Sequence, residues 1–141
     1  MIYTDASIGG PPRPAAAGAG FVIIFERDGV WESLPGARPL GMLRTPQEAE
    51  YHAAVWALRT AIRSGCSCLV VRTDSQLLVH QMNGQSEVFD VDLVPIKSKL
   101  RKLADLCDNA SFEWVPRARN KTADRLADLG RRRNKGIAHA G

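Results

Sequence analysis

The strongest constraint on the fold of this chain is a helix-start signal that lies about one third of the way along it. Thr45 can act as the N-cap, Pro46 suits the first helical position, and Glu48 completes a capping box. The β-prone segments before this signal are joined by short turns, whereas those after it are separated by helical segments. Strands joined by tight turns run antiparallel, and strands joined through a helix run parallel. The chain is therefore predicted to form a mixed sheet flanked by helices.

The predicted element order is β-β-β-α-β-α-α-β-α, which gives an α/β fold with a mixed five-stranded sheet. We place the opening strand centrally, beside both the hairpin and the later parallel strand. The small residues of 15–20 predict a flexible segment, and Pro35 and Gly36 predict an irregular edge strand. The predicted elements are strands at 1–7, 21–25, 30–40, 68–71 and 111–115, and helices between 45 and 65, 75–82, 93–107 and 120–132, with a frayed tail over 135–141.

Composition excludes several classes of protein. The 141 residues suit one domain over 1–141, and 45% apolar residues argue against a disordered chain. No apolar run reaches the ~18 residues of a membrane span, and the start lacks a signal-peptide pattern. The net charge of +4 permits an anionic partner such as nucleic acid without requiring one.

The cysteines and the absence of heptads bear on compartment and assembly. Cys66, Cys68 and Cys107 show neither a disulfide framework nor zinc-ligand spacing. We therefore expect reduced thiols that pack as small buried hydrophobes in a cytoplasmic protein. The chain has no heptad pattern and no evident free apolar face, which favours a monomer.

Four acidic residues occupy positions from which they can meet at one edge of the predicted sheet. Asp5 lies near the end of the opening strand, and Asp74 follows a parallel strand. Ligand sites in open α/β sheets form outside the carboxyl ends of the strands. Glu50 lies in the second turn of the capped helix, and Asp124 lies in the first turn of the last helix. Converging carboxylates repel unless cations neutralise them, and oxygen ligands alone favour Mg²⁺ or Mn²⁺.

Each of these acids also has a common structural explanation. Asp74 can be the N-cap of the following helix, Asp124 can favour its helix dipole, and Glu50 can be a solvated surface acid. Asp5 is harder to explain in this way, because acidic residues are depleted from strands. Position and spacing alone leave both a metal site and separate structural roles for these acids open.

The residues around the four acids resemble the motifs of type 1 ribonuclease H, in particular its compact archaeal-type and reverse-transcriptase-like branch. The similarity covers essentially the whole chain, and the four motifs follow one another with the expected elements between them. The run 49–51 matches the family's glutamate at Glu50 rather than at Glu48. The matching segments are Tyr3-Thr4-Asp5-Ala6-Ser7, Glu48-Ala49-Glu50-Tyr51-His52-Ala53-Ala54, Arg72-Thr73-Asp74-Ser75-Gln76, and Trp114-Val115-Pro116-Arg117 through Asn120-Lys121-Thr122-Ala123-Asp124-Arg125-Leu126-Ala127.

The resemblance implies endonucleolytic hydrolysis of the RNA strand of RNA/DNA hybrids, with 5′-phosphate and 3′-hydroxyl products. It implies two divalent ions, Mg²⁺ with Mn²⁺ as a substitute, on either side of the scissile phosphate; one activates a water and the other stabilises the departing 3′ oxygen. Asp5 would bridge the ions, Asp74 and Asp124 would hold one of them, and Glu50 would complete the other site. Glu50 would also contact a 2′-hydroxyl, which distinguishes RNA from DNA.

The resemblance also implies contacts to the hybrid. Gln76 matches a position that contacts bases in the minor groove, and Thr45 matches one that helps bind a DNA phosphate. Gln47 stands, with Pro46, where the family has an asparagine pair before the glutamate helix. This departure weakens the match to the family at the position that contacts the DNA strand.

Two further departures concern charged regions of the family. Many bacterial members have a histidine in the loop before the last helix, whereas here Arg117 and Arg119 are the implied phosphate contacts and Asn120 is expected to cap the helix. The basic protrusion of larger members is absent, because only 85–92 separates the middle helices. Hybrid binding would then rest on other cations, for which the candidates are Lys97, Lys99, Arg101 and Arg13. Cations on a helix face are more often only solvated, so both roles stay open for them.

Two other functions stay open. The altered loops and the missing histidine are compatible with a non-catalytic module that binds hybrid or double-stranded RNA. Another nuclease of the wider superfamily is less compatible, because its exonucleases carry Asp-x-Glu in the first strand and this chain has Ser7 two residues after Asp5.

Overall fold

Five strands and four α-helices make up the fold. The structure is a computed structural model that describes residues 1–88 and 90–140, with side chains in the last helix described as far as Asn134. The elements are β1 (Ile2–Ile8), β2 (Ala15–Arg27), β3 (Val30–Leu43), α1 (Pro46–Arg63), β4 (Cys68–Thr73), α2 (Gln76–Met82), α3 (Val94–Asp105), β5 (Asn109–Trp114), a short 3₁₀ turn (Arg117–Arg119) and α4 (Lys121–Ala140).

The sheet has the strand order β3-β2-β1-β4-β5, so β1 is central as predicted. β1 pairs antiparallel with β2 and parallel with β4, and β2 pairs antiparallel with β3. β4 and β5 are parallel. The mixed sheet and the element order are therefore confirmed, and β3 is the predicted edge strand.

The main core lies between the sheet and helices α1 and α3. Thr45 is the N-cap of α1, and its hydroxyl accepts a hydrogen bond from the Glu48 N–H at 3.1 Å. The buried face of α1 includes Tyr51 and Leu58, which pack with buried side chains of the strands and of α3. Burial of each large apolar side chain contributes about 1.5–3 kcal/mol. The capping residues thus fix where α1 begins, and its apolar face fixes which side meets the sheet.

Helix α4 packs on the other face of the sheet, and this explains one wrong prediction. The segment 15–20 belongs to β2 instead of forming a flexible connection. A Cβ atom at Gly18 or Gly20 would overlap the α4 backbone. The small residues there therefore allow the helix to pack closely on the strand. In the sequence alone, such a run looks the same as a flexible segment, because both consist of residues without bulk.

The last helix also departs from its predicted form. It extends beyond Arg132, and contacts with β3 hold this part: the Arg133 guanidinium donates to the Ala37 carbonyl at 3.0 Å, and the Asn134 side-chain oxygen accepts from the Gly41 N–H at 3.1 Å. The predicted fraying of 135–141 stays a prediction, because the side chains of 135–140 and the whole of residue 141 lie outside the described part of the chain.

Three smaller expectations are settled by the structure. The prediction that Asn120 caps α4 through its side chain is wrong, because its amide donates to the Thr4 carbonyl at 2.9 Å and its Oδ1 accepts no hydrogen bond. Cys66 and Cys107 pack against the core, but Cys68 is exposed, contrary to expectation. Among the described residues, no helix is both long and apolar enough to cross a membrane.

Candidate active site

Three of the four predicted acids meet at the edge of the sheet where β1 and β4 diverge. The parallel pairing of β1 with β4 ends at Tyr3 and Arg72, so Asp5 lies beyond the last pair. Asp74 directly follows β4, and Glu50 is in the second turn of α1. One carboxylate oxygen from each of Asp5, Glu50 and Asp74 lies within 4.8 Å of the others.

The fourth acid, Asp124, reaches the same place through the packing of α4. In the sheet register Asp5 lies opposite Gly20, and Gly20 contacts the α4 backbone at Ala123. The first turn of α4 is thereby brought next to Asp5, and Asp124 lies in that turn. Asp124 lines the cleft that also contains the other three acids.

The proximity of these carboxyls changes their proton affinity. Burial, the charge of Asp74 and a hydrogen bond with Asp124 raise the pKa of Asp5 to about 8. Burial and the charges of Asp5 and Asp74 raise the pKa of Glu50 well above its usual range. Burial also raises the pKa of Asp74, against the opposing effect of the Arg117 guanidinium. Such mutual destabilisation of charge is relieved by a bound cation.

The residues fit a divalent metal ion. The Oε2 atom of Glu50 is buried and has no hydrogen-bond partner, which is unfavourable for a carboxylate unless another group meets it. The donor atoms of the group are all carboxylate oxygens, the ligand type that hard cations such as Mg²⁺ and Mn²⁺ prefer. Asp5, Glu50 and Asp74, with Asp124 beside them, could therefore hold such ions.

The structural alternative for Asp74 is not what the geometry shows, and Glu48 differs in role from Glu50. Ser75, not Asp74, caps α2: its hydroxyl accepts from the Leu78 N–H at 3.3 Å. Glu48, the other acid in the first part of α1, takes part in capping, since its carboxylate accepts from the Thr45 hydroxyl at 3.5 Å. The preference for Glu50 over Glu48 is therefore consistent with their positions.

The residues predicted to contact nucleic acid divide into two groups. Gln47, Gln76 and Arg117 line the acidic cleft, whose volume is about 570 Å³. Thr45 is not among the residues that line it, and its hydroxyl serves the cap of α1. Arg119 lines a separate cavity near Tyr3 and Ile24.

Two apolar residues of the cleft were missed by the sequence analysis. Trp114 and Leu77 both line it, and their exposed fractions are 47% and 40%. Trp114 is the last residue of β5 and lies just before Pro116-Arg117, so its place at the carboxyl edge was a usable signal. Large exposed apolar side chains beside four carboxylates suit a ligand with both flat and charged parts.

Comparison with known proteins gives a family and several relatives. The family described as reverse transcriptase-like matches residues 10–130. The bifunctional protein Rv2228c of Mycobacterium tuberculosis is 34% identical over 128 residues, which are 91% of this chain and 34% of that protein. This chain therefore spans about a third of the length of its mycobacterial relatives. Ribonuclease HI of Halobacterium salinarum is 35% identical over 126 residues, 89% of this chain and 61% of that protein.

Solved structures of similar proteins have the same architecture. The RNase H1 of Halobacterium salinarum superposes with a TM-score of 0.81 at 32% identity, covering 92% of this chain and 94% of that one. The N-terminal RNase H domain of Rv2228c gives 0.83 at 31% identity, with coverages of 97% and 96%. LC11-RNase H1, isolated from compost and solved in complex with an RNA/DNA hybrid, gives 0.79 at 29% identity, with coverages of 94% and 96%.

Proposed function

Because this chain belongs to the type 1 ribonuclease H family, we propose that it is a divalent-metal-dependent endoribonuclease that hydrolyses the RNA strand of RNA/DNA hybrids. The observation that carries the proposal is the approach of Asp5, Glu50 and Asp74 to within 4.8 Å, in a cleft that also contains Asp124. The hybrid bound by LC11-RNase H1 supports the choice of substrate.

In the proposed mechanism the four carboxylates share the work of holding two ions, Mg²⁺ with Mn²⁺ as a substitute. Asp5, which contacts the other acids, would bridge the two ions; Asp74 and Asp124 would hold one, and Glu50 would complete the other. When bound, the ions supply activation of the attacking water and stabilisation of the departing 3′ oxygen, giving 5′-phosphate and 3′-hydroxyl ends. β1, β4, α1 and α4 fix these carboxylates in advance, so little reorganisation accompanies the reaction.

The rest of the cleft offers contacts that suit a hybrid. Arg117 is close enough to Asp74 to influence its ionisation, and its guanidinium is proposed to bind a backbone phosphate. Gln47 and Gln76 have amides for the minor groove, and Trp114 has a ring for a sugar or base. The unpartnered Oε2 of Glu50 is proposed to accept from a 2′-hydroxyl, a group that only the RNA strand carries.

The test is cleavage of a short end-labelled RNA/DNA hybrid with Mg²⁺, with Mn²⁺ and with EDTA. We expect internal cuts in the RNA strand that require metal. In Asp74→Asn the rate should fall by roughly a thousandfold or more, because several kcal/mol of transition-state stabilisation depend on the ions that this carboxylate helps to hold. Asp105→Asn, an exposed acid at the end of α3, is the matched control and should keep the wild-type rate.

A wild-type protein that binds the hybrid but does not cut it with any metal would contradict the proposal. The chain would then be the non-catalytic binding module that its altered loop also allows. The proposal further includes a monomer acting in the cytoplasm, which is supported by the sequence patterns alone.

A further inference from the structure

Polar contacts join α4 to β1 on either side of Asp124. Asn120 is one helical turn before Asp124 and Asp128 is one turn after it, so the three residues lie on the same side of the helix. Neither Asn120 nor Asp128 lines the acidic cleft, and the proposed mechanism gives them no role. Their contacts nevertheless bear on that mechanism, because Asp5 belongs to β1 and Asp124 belongs to α4.

The first contact is made by Asn120, whose side chain is 1% exposed. Its Nδ2 donates to the Thr4 carbonyl at 2.9 Å, and this carbonyl belongs to the peptide group that joins Thr4 to Asp5. The backbone carbonyl of Asn120 accepts from the Asp124 N–H at 3.0 Å. One buried residue therefore connects the backbone of Asp5 with the backbone of Asp124. Loss of such a buried donor costs more than loss of a surface hydrogen bond, because water does not replace it.

The second contact joins Ser7 of β1 to the following turns of α4. The Arg131 Nε donates to the Ser7 hydroxyl at 2.8 Å, and the Arg131 Nη2 donates to the Asp128 Oδ1 at 2.5 Å. The Ser7 hydroxyl also donates to this Oδ1 at 3.5 Å. All three side chains are half-buried, so solvent screens the charged pair less than it screens a surface pair. Ser7 is two residues after Asp5 and therefore lies on the same face of the strand.

These contacts matter because Asp5 and Asp124 repel each other when both are ionised. The repulsion acts to move α4 away from β1. Close packing at Gly20 brings the helix near the strand, whereas hydrogen bonds are directional and also fix the position of the helix along the strand. The ligands of a metal site tolerate deviations of only about 0.2 Å in distance. A small movement of α4 would therefore weaken metal binding.

We propose that Asn120 and Ser7 are positioning residues that keep Asp124 next to Asp5 for metal binding. Neither residue touches the ion or the hybrid, and each acts through the placement of α4 on β1. The inference rests on the proposed function for the role of the metal, whereas the placement of α4 is measurable without metal or hybrid. Loss of either contact should weaken metal binding in a protein that is still folded.

The first measurement is amide hydrogen exchange of the ¹⁵N-labelled full chain in EDTA. In Asn120→Ala and in Ser7→Ala, the amides of 124–128 should exchange about three- to tenfold faster relative to those of α1, the change expected for one lost hydrogen bond. Arg133→Ala is the matched control, because it removes a hydrogen bond from α4 to the Ala37 carbonyl of β3 and leaves both contacts with β1 intact. Its exchange at 124–128 should equal that of the wild type.

The second measurement is the affinity of the same proteins for Mn²⁺ without hybrid, by titration calorimetry at a temperature where thermal melts show each variant to be folded. Asn120→Ala and Ser7→Ala should bind about three- to tenfold more weakly, and Ser7→Thr, which keeps the hydroxyl, should bind as the wild type does. At saturating Mn²⁺ both alanine variants should recover most of the wild-type kcat with an unchanged KM for the hybrid. If Asn120→Ala does not fold, the Ser7 variants decide the outcome.

Two results would overturn the inference. One is wild-type exchange at 124–128 in the alanine variants of Asn120 and Ser7, and the other is a Mn²⁺ affinity in these variants equal to that of Arg133→Ala. Failure of the proposed function has a different signature. A wild-type protein that binds Mn²⁺ but cuts no hybrid would contradict the proposed function, while the exchange rates and the Mn²⁺ affinities would still decide whether Asn120 and Ser7 position Asp124.

Discussion

At the scale of one residue, Asp5 shows how the fold surrounds a buried carboxyl group with other acids at a candidate binding site. It is 4% exposed in a strand, and the groups around its carboxyl include three other acids. A buried carboxylate in such surroundings is unfavourable as an anion without a cation. The folded chain therefore keeps this group protonated over an unusually wide pH range, at the place where a metal ion is proposed to bind.

The free energy of unfolding should depend on pH and metal together. The pKa of Asp5 is raised from 3.8 to about 8 in the folded protein, so its stabilising contribution is present at low pH and is lost as the pH rises through 8. A bound divalent ion requires the ionised form and reverses this loss. With Mg²⁺ at about a hundred times its dissociation constant, we expect the melting temperature at pH 8 to rise by roughly 5–10 °C over EDTA.

The measurement is a series of thermal melts between pH 5 and pH 8 with and without Mg²⁺. The increase due to Mg²⁺ should shrink as the pH falls, because protons then compete with the ion. Asp5→Asn is the comparison, and it should lose both the increase and its pH dependence. A Mg²⁺ effect that is equal at pH 5 and pH 8 would be incompatible with the raised pKa values.

At the scale of elements, the close packing of α4 on β2 decides where Asp124 lies. Gly18 and Gly20 of β2 face the backbone of α4, and Gly130 of α4 faces the backbone of Arg38 in β3. The missing side chains let the helix and the sheet approach more closely than most pairs allow. Since Gly20 is also opposite Asp5 in the register, the same contact aligns Asp124 with the other acids.

Gly20→Ala should therefore affect stability and activity together. The new methyl group would overlap the backbone of Ala123 and Ala127, so α4 must shift. Overpacking of this kind costs about 1–3 kcal/mol, or roughly 3–10 °C in melting temperature for a domain of this size. Hybrid cleavage should fall even at temperatures where the variant is fully folded, because Asp124 moves with the helix.

Gly10→Ala is the control for this prediction. A Cβ atom at Gly10 would meet nothing within 4 Å, so the substitution should leave both melting temperature and cleavage rate near the wild-type values. Melts and steady-state cleavage of all three proteins make the comparison. If Gly20→Ala kept full activity while folded, the position of Asp124 would not depend on this contact.

At the scale of the whole molecule, the net charge of +4 is distributed around an acidic centre. The cleft collects four acids, with Arg117 at its edge, while most cations lie elsewhere on the surface. A hybrid that reaches the acids must therefore be held by phosphate contacts around them. Each such contact releases counterions, which makes binding weaken with salt.

Arg117→Ala, combined with Asp74→Asn to prevent cleavage, should reduce the salt dependence of hybrid binding. The slope of log K against log salt should become smaller by about 0.9, the value for one phosphate contact to a B-form duplex. This slope is measured by fluorescence anisotropy with a labelled hybrid at salt concentrations from about 50 to about 300 mM, a range wide enough to distinguish the two slopes. Arg63→Ala, in the last turn of α1 and about 20 Å from Glu50, should leave the slope unchanged. Equal slopes in both variants would remove Arg117 from the interface.

Local chemistry in the sequence determined much of the fold. The cap at Thr45, the helical periodicities and the breaks at Gly and Pro predicted the element order, and crossovers predicted which strands are parallel. The four acids were found because a short motif surrounds each of them, although Asp5 lies in the middle of β1 and not near its end as the sequence predicted. Caps, periodicities and motifs depend on residues a few positions apart, so they can be read without knowing what lies across the sheet.

Only the tertiary structure decided the contacts between distant parts of the chain. Gly20 meets Ala123, and the Asn120 amide turns to Thr4, across more than one hundred residues of sequence. The first contact makes 15–20 part of a strand, and the second leaves the start of α4 uncapped. Arg117 and Arg119 are two residues apart, yet they line different cavities on account of the 3₁₀ turn that holds them. Packing between elements determines these contacts. Patterns among neighbouring residues in the sequence contain no information about that packing.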